Sequence, residues 1–238
     1  MSEEATSIAR ENPSRAWPFA TITLLFLLWL AFTVDYATRA HRGIGPEPLP
    51  ALWVFDGAHP KPWQWITYAF VHCFRWHLHG NLIVLAPAAM LLEWRVGSWR
   101  TLALFFLLTV MVSCGFHLVD PRDLYGASGV ATGFITAAAI VWLLAHEKRL
   151  WQRAIPCVIA LAYLIWKELW PALQAHPNPG WKAHLVGALS GIAVALLHEA
   201  AMREFSRRRG LLCPSPARTR CSRRRRCAEA ASCRPPGR

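Results

Sequence analysis

"YGASGVATG" occupies positions 125–133. Ser128 stands there among glycine and alanine, just after the turn-like "DPRDL" (120–124) and just before a long apolar run. Small residues at helical spacing let one membrane helix lie against another. A hydroxyl in such a setting is either a helix cap or a reacting group. Which of the two it is depends on what the rest of the chain brings to the same depth.

The whole chain is too apolar for an ordinary soluble domain. Of its 238 residues 54% are hydrophobic, with a mean hydropathy of +0.24, which fits a small polytopic membrane protein. Its 13 tryptophans lie mostly beside apolar runs, as in an interfacial aromatic belt. The net charge of +12 is concentrated at one end: residues 203–238 hold twelve Arg and two Glu, leaving about +2 for the rest. The basic balance therefore describes a tail lying near anionic lipid headgroups, and it implies no nucleic-acid partner. Cys73, Cys114 and Cys157 are scattered through the body. Cys213, Cys221, Cys227 and Cys233 lie in the tail without a CxxC element, so no zinc site is read.

Six apolar stretches, roughly 17–36, 76–94, 99–118, 128–146, 150–170 and 183–202, have about the length a bilayer core requires. In lipid a backbone must satisfy itself, so these are predicted helices. The expectation is an all-α membrane protein, a six-transmembrane-helix bundle. It divides into an N-terminal cytoplasmic segment (1–16), a membrane domain (17–202) and a basic, disordered tail (203–238). The first stretch is too long for a signal peptide, and its leader carries Glu3, Glu4 and Glu11. Basic residues favour an inside N-terminus. The loop at roughly 37–75, with Trp53, Phe55, Trp63 and Trp65, is expected to rest in the interface.

With that orientation, spans two, four and six all begin on the outer side. His77 and Asn81 open span two, Ser128 opens span four and His184 opens span six, so residues far apart in sequence fall at similar depth. From Ser128 to Ala145 is eighteen residues, or about 27 Å of helix, against a hydrocarbon core of about 30 Å. Ser128 is thus expected just beneath the outer boundary. Gly129 and Gly133 form GxxxG on span four, and Gly187 and Gly191 form it on span six. His184, Gly187 and Gly191 share one helical face, so the face carrying the histidine can touch span four.

This set suits acyl transfer. His184 is the candidate base for a Ser128 nucleophile. His77 and Asn81, at i and i+4, are candidates with the Ser128 amide for binding an oxyanion. No acidic residue stands ready to complete a triad, so a Ser–His dyad is expected. His79 faces away from His77, His72 approaches from the loop side as support, and His117 has no assigned role. No metal or cofactor is implied.

The stretches "HCFRWHLHGN" (72–81), "EWRVGS" (93–98), "YGASG" (125–129) and "AHLVGALSG" (183–191) resemble those of rhomboid intramembrane serine proteases. The resemblance implies Ser128 as nucleophile and His184 as base. It implies His77, Asn81 and the Ser128 amide at the oxyanion, with Gly126, Gly129, Gly133, Gly187 and Gly191 packing around the site. It also implies substrates that are transmembrane segments of other proteins, held in the lipid bilayer. The expected location is a bacterial inner membrane, termini cytoplasmic, with the site opening to the periplasm or exterior. Two positions depart from the family pattern: Trp63-Gln64 replaces a Trp-Arg pair, and Thr132 replaces an aromatic four residues after the nucleophile.

Three alternatives compete with this reading. One is an inactive rhomboid-like binder of membrane proteins. Another is a rhombosortase-type processor of C-terminal Gly-Gly tags, to which "IWKELW" (165–170) is similar. The third is a b-type cytochrome using His77 and His184. A zinc protease would need HExxH, but Met202 and Leu150 stand where the second histidine would follow His198-Glu199 and His146-Glu147.

Overall fold

The computed structural model describes residues 17–41, 52–145, 148–173 and 180–212. Long helices occupy all six apolar stretches: α1 (Phe19–His41), α3 (Arg75–Val96), α4 (Ser98–Val119), α5 (Ser128–Leu143), α6 (Leu150–Leu164) and α8 (Trp181–Leu212). The loop between α1 and α3 adds a short α2 (Gln64–Thr67), continued by a 3-10 turn over Tyr68–Phe70. Past α6 the helix widens into a π-helical turn at Ile165–Leu169, the "IWKEL" segment, and ends in α7 (Trp170–Leu173). No strand is present among the described residues.

Among the described residues three helices are long and apolar enough to cross a membrane: Phe19–Arg39, Ser98–Val119 and Trp181–Phe205. α5 is equally apolar but has 16 residues, about 24 Å of helix, shorter than a bilayer core of about 30 Å.

One difference from expectation lies at the end of the membrane domain. The disordered tail was placed from residue 203, yet α8 runs on to Leu212. The added turns contain no proline, and Glu204 pairs with Arg207 and Arg208 at 3.0 and 2.7 Å, the i,i+3 and i,i+4 spacing that supports an exposed helix. The remainder of the tail, with its four cysteines, lies outside the described residues, as does the segment 1–16.

Polar anchors fix the helix ends. Glu93, buried near the end of α3, accepts hydrogen bonds from the amides of Ala20 and Thr21 at 2.8 Å each and from Thr21 Oγ1 at 2.7 Å. The first N–H groups of a helix have no partner within it, and a carboxylate also suits the positive end of the helix dipole. Thus α3 caps α1. Gly97, at φ +91°, ends α3 by donating its amide to Glu93 O and leads straight into α4, the left-handed stop that glycine makes cheaply.

The loop between α1 and α3 is stitched to the segment that leads into α5. Phe55 and Leu124 exchange both backbone hydrogen bonds at 3.0 Å, and the Gly57 amide donates to Asp123 Oδ1 at 3.1 Å. A Cβ at Gly57 would lie 2.0 Å from Pro121 O, so only glycine permits this approach. From beneath, Tyr68 Oη donates to Thr109 O and Ser113 Oγ to Trp65 O, both at 3.0 Å.

Candidate active site

Ser128 is the first residue of α5, and the first backbone bond of that helix runs from Ala131 N to Ala127 O. The amides of Ser128, Gly129 and Val130 therefore have no partner inside the helix, and they mark its positive end. Just before them Gly126 sits at φ +91°, and its amide donates to Tyr68 O at 2.8 Å. A Cβ there would lie 2.7 Å from His77 Cε1, 3.0 Å from His77 Nε2 and 3.8 Å from Asn81 Nδ2. His77 and Asn81, from the first turns of α3, thus face the chain just before Ser128.

His184 arrives from α8. It is buried, at 3% exposure, and its amide bonds Gly180 O. Its neighbour Ala183 touches Ser128's neighbour Gly129: a Cβ on Gly129 would be 2.9 Å from Ala183 O. The contact continues down the seam, where a Cβ on Gly187 would be 2.0 Å from Gly129 O, and one on Gly191 would be 2.1 Å from Gly133 O. Four glycines therefore let the backbones of α5 and α8 touch, and Thr136 Oγ1 ties them by donating to Ala188 O at 3.1 Å. α3, α5 and α8 thus bring His77, Asn81, Ser128 and His184 into one region.

Several residues the sequence left in doubt now have places. Gln64 is fully buried, and its Oε1 accepts from the amides of Lys61 at 2.9 Å and Asp56 at 3.4 Å. It pins the loop that precedes α3. Thr132 is buried and donates to Ser128 O at 2.9 Å, a hydroxyl turned back on its own helix. His79 is exposed on the outside of α3. His117 packs edge-on against Phe55 and Trp65, in the scaffold of the outer loop.

Sequence reasoning gave no role to Asp120 or Lys182. Asp120 is buried and binds Arg122 Nη2 at 2.7 Å and Lys182 Nζ at 3.0 Å. The Arg122 hydrogen bonds, and then that of Lys182, hold the Asp120 carboxyl well below the usual carboxylate range. Lys182 lies two positions before His184, so this clip ties the start of α8 to the segment that feeds α5. The proline after Asp120 was the only local hint of a fixed turn.

A helical bundle with apolar spans and a polar cluster where three helices meet defines a membrane-embedded helical protein. A model of the rhomboid domain matches residues 59–200, and the chain belongs to the rhomboid family. Members of that family are generally serine intramembrane proteases. Comparison with curated proteins gave no match.

Proposed function

We propose that this protein is an intramembrane serine endopeptidase that cleaves transmembrane segments with a Ser128–His184 dyad. The observation that supports the reading is the backbone contact between Gly129 and Ala183, the residues next to Ser128 and His184 in the chain. Ser128 Oγ attacks the scissile carbonyl while His184 takes its proton. His77, Asn81 and the Ser128 amide hold the oxyanion. His184 then returns the proton to the leaving amine, and water hydrolyses the acyl-enzyme.

In this reading all six long helices span a bacterial inner membrane, the termini are cytoplasmic and the site opens outward. The short α5, about 24 Å long, supports a serine set below the surface.

The test uses the full chain in liposomes with single-span model substrates and a fluorophosphonate probe. Wild type is expected to cleave and to label, whereas Ser128→Ala does neither. His184→Ala is expected to lose at least about a thousandfold in rate. Cleavage that survives in Ser128→Ala overturns the mechanism. Folded wild type that neither labels nor cleaves makes the protein a rhomboid-like binder. Selective turnover of substrates with a C-terminal Gly-Gly tag makes it a rhombosortase-type enzyme.

A further inference from the structure

Ahead of α3 lie two adjacent residues, His72 and Cys73, each of which contacts one of the two candidate oxyanion side chains. His72 is fully buried. Its Nε2 stands 2.9 Å from Asn81 Nδ2 and 3.4 Å from the amide nitrogen of Ala127, the residue before Ser128. An amide NH2 and a backbone N–H can only donate, so His72 Nε2 is the acceptor, its one lone pair taken chiefly by the nearer Asn81 NH2, and the ring proton sits on Nδ1. Cys73 Sγ lies 3.5 Å from His77 Nδ1. A thiol that donates there leaves the His77 proton on Nε2, the nitrogen that faces Gly126.

We propose that His72 and Cys73 are positioning residues that fix the donor sense of the oxyanion hole: His72 holds Asn81 with its NH2 toward the site, and Cys73 holds His77 as the Nε2–H tautomer. Both settings matter, because either side chain turned the other way would present a lone pair to a developing negative charge. The Asn81 amide turned over would direct its carbonyl oxygen inward, and the other His77 tautomer would present a bare nitrogen. The inference rests on the protease reading above.

Burial, and then the charge of a protonated His77, push the His72 imidazole down from the ordinary 6.5 to about 3. It therefore stays a neutral acceptor across the working range. Electrostatic preorganisation of this kind acts because the donors are already aimed before charge develops. Contacts from neighbouring residues are what keep them aimed.

The experiment measures kcat, KM and thermal unfolding for wild type, His72→Leu, His72→Gln, Cys73→Ala and Cys73→Ser, and for His72→Leu in an Asn81→Ala background. Losing a whole oxyanion donor costs about 10²–10³ in kcat, so His72→Leu is expected to lose about 10- to 100-fold in kcat with KM little changed. His72→Gln places an acceptor oxygen near the lost nitrogen and is expected to recover most of that loss. Cys73→Ser, which keeps a donor, is expected to exceed Cys73→Ala. In the Asn81→Ala background, His72→Leu is expected to cost less than about threefold more, since coupled residues are not additive.

Equal rates for His72→Leu and His72→Gln overturn the proposal, as do fully additive losses or a loss of rate that only follows a loss of stability. If His72→Leu does not fold, the Gln and Cys73 variants decide. Wild type that turns over alongside an unimpaired His72→Leu sinks the clamp alone. Wild type that does not turn over sinks the protease reading, and the clamp with it.

Discussion

α5 and α6 follow one another in the chain, are of nearly equal length and are both apolar, yet they are held in opposite ways. α5 buries twelve of its sixteen residues. α6 buries two of its fifteen, Pro156 and Ala160. The first is enclosed on every side by α3, α4, α6 and α8. The second presents Ile155, Val158, Ile159 and Leu161 outward. In water such a surface would be costly, but in lipid it is not, because hydrocarbon tails are as apolar as leucine. The helix that starts with the candidate nucleophile is thus the most confined element, and its neighbour is a wall held along one side.

The confinement of α5 rests on absent side chains. Changing Gly187 to Ala places a methyl 2.0 Å from Gly129 O, and neither backbone can yield without opening the seam. Overpacking a core costs about 1–3 kcal/mol, and a clash with backbone belongs at or above the top of that range. Gly187→Ala is expected to produce the largest loss in an unfolding titration in mild detergent, together with loss of cleavage because His184 moves away from Ser128. If this variant is as stable as wild type, the tight seam is not what encloses α5.

A milder break leaves the backbone in place. Thr136→Val removes the bond from Oγ1 to Ala188 O across the seam while nearly keeping the shape. Hydrogen bonds between membrane helices contribute about 1 kcal/mol, so a loss of that order is expected in the same titration, with less effect on activity than Gly187→Ala. A loss equal to that of the glycine variant would mean that the hydroxyl, and not the close approach, holds the two helices.

The end of the same seam where α8 begins is closed by charge. The folded Asp120 carboxyl lies below its ordinary value of 3.8 because of Arg122 and Lys182. A depressed carboxylate contributes stability that is fully present above the unfolded value and is lost only as pH falls through the folded one. The Asp120 contribution should therefore persist almost whole at pH 4. Asp120→Asn is expected to lower the melting temperature by less than Thr136→Val, and by nearly the same amount at pH 7 and pH 4. A difference that vanishes at pH 4 would show that the clip does not form.

This contrast also separates what the sequence could convey from what it could not. The all-helical class was legible because hydropathy and length are local properties, and Gly129, Gly133, Gly187 and Gly191 were legible as two spaced pairs. The unequal burial of α5 and α6 was not, because both read as apolar throughout and a lipid-facing side chain looks like a core one. The roles of Gln64 and Asp120 were hidden for another reason. Each acts through a contact with a backbone amide or a distant side chain, such as the Lys61 amide for Gln64 and Lys182 for Asp120. No spacing rule announces such partners. Residues 203–212 were misread because a high density of arginine signals disorder on composition, whereas an unbroken helix already under way carries through it.

The smallest effect is expected on the outer face of α6. Ile159 is about half exposed, at 53%, and its side chain leaves the bundle. Ile159→Ala removes apolar surface that lipid covers equally well in the folded and the unfolded helix, so little of the usual burial term is lost. Substitutions away from packed or bonded positions fall within about 0.5 kcal/mol, and Ile159→Ala should stay inside that range. The measurement is the same unfolding titration, run beside Gly187→Ala. A loss above about 1 kcal/mol would mean that this face packs against protein, either a second copy or a segment of the chain, and the picture of α6 as a wall held on one side would have to be abandoned. A result within the range leaves α6 as a helix packed against α5 along one side and facing lipid along the other.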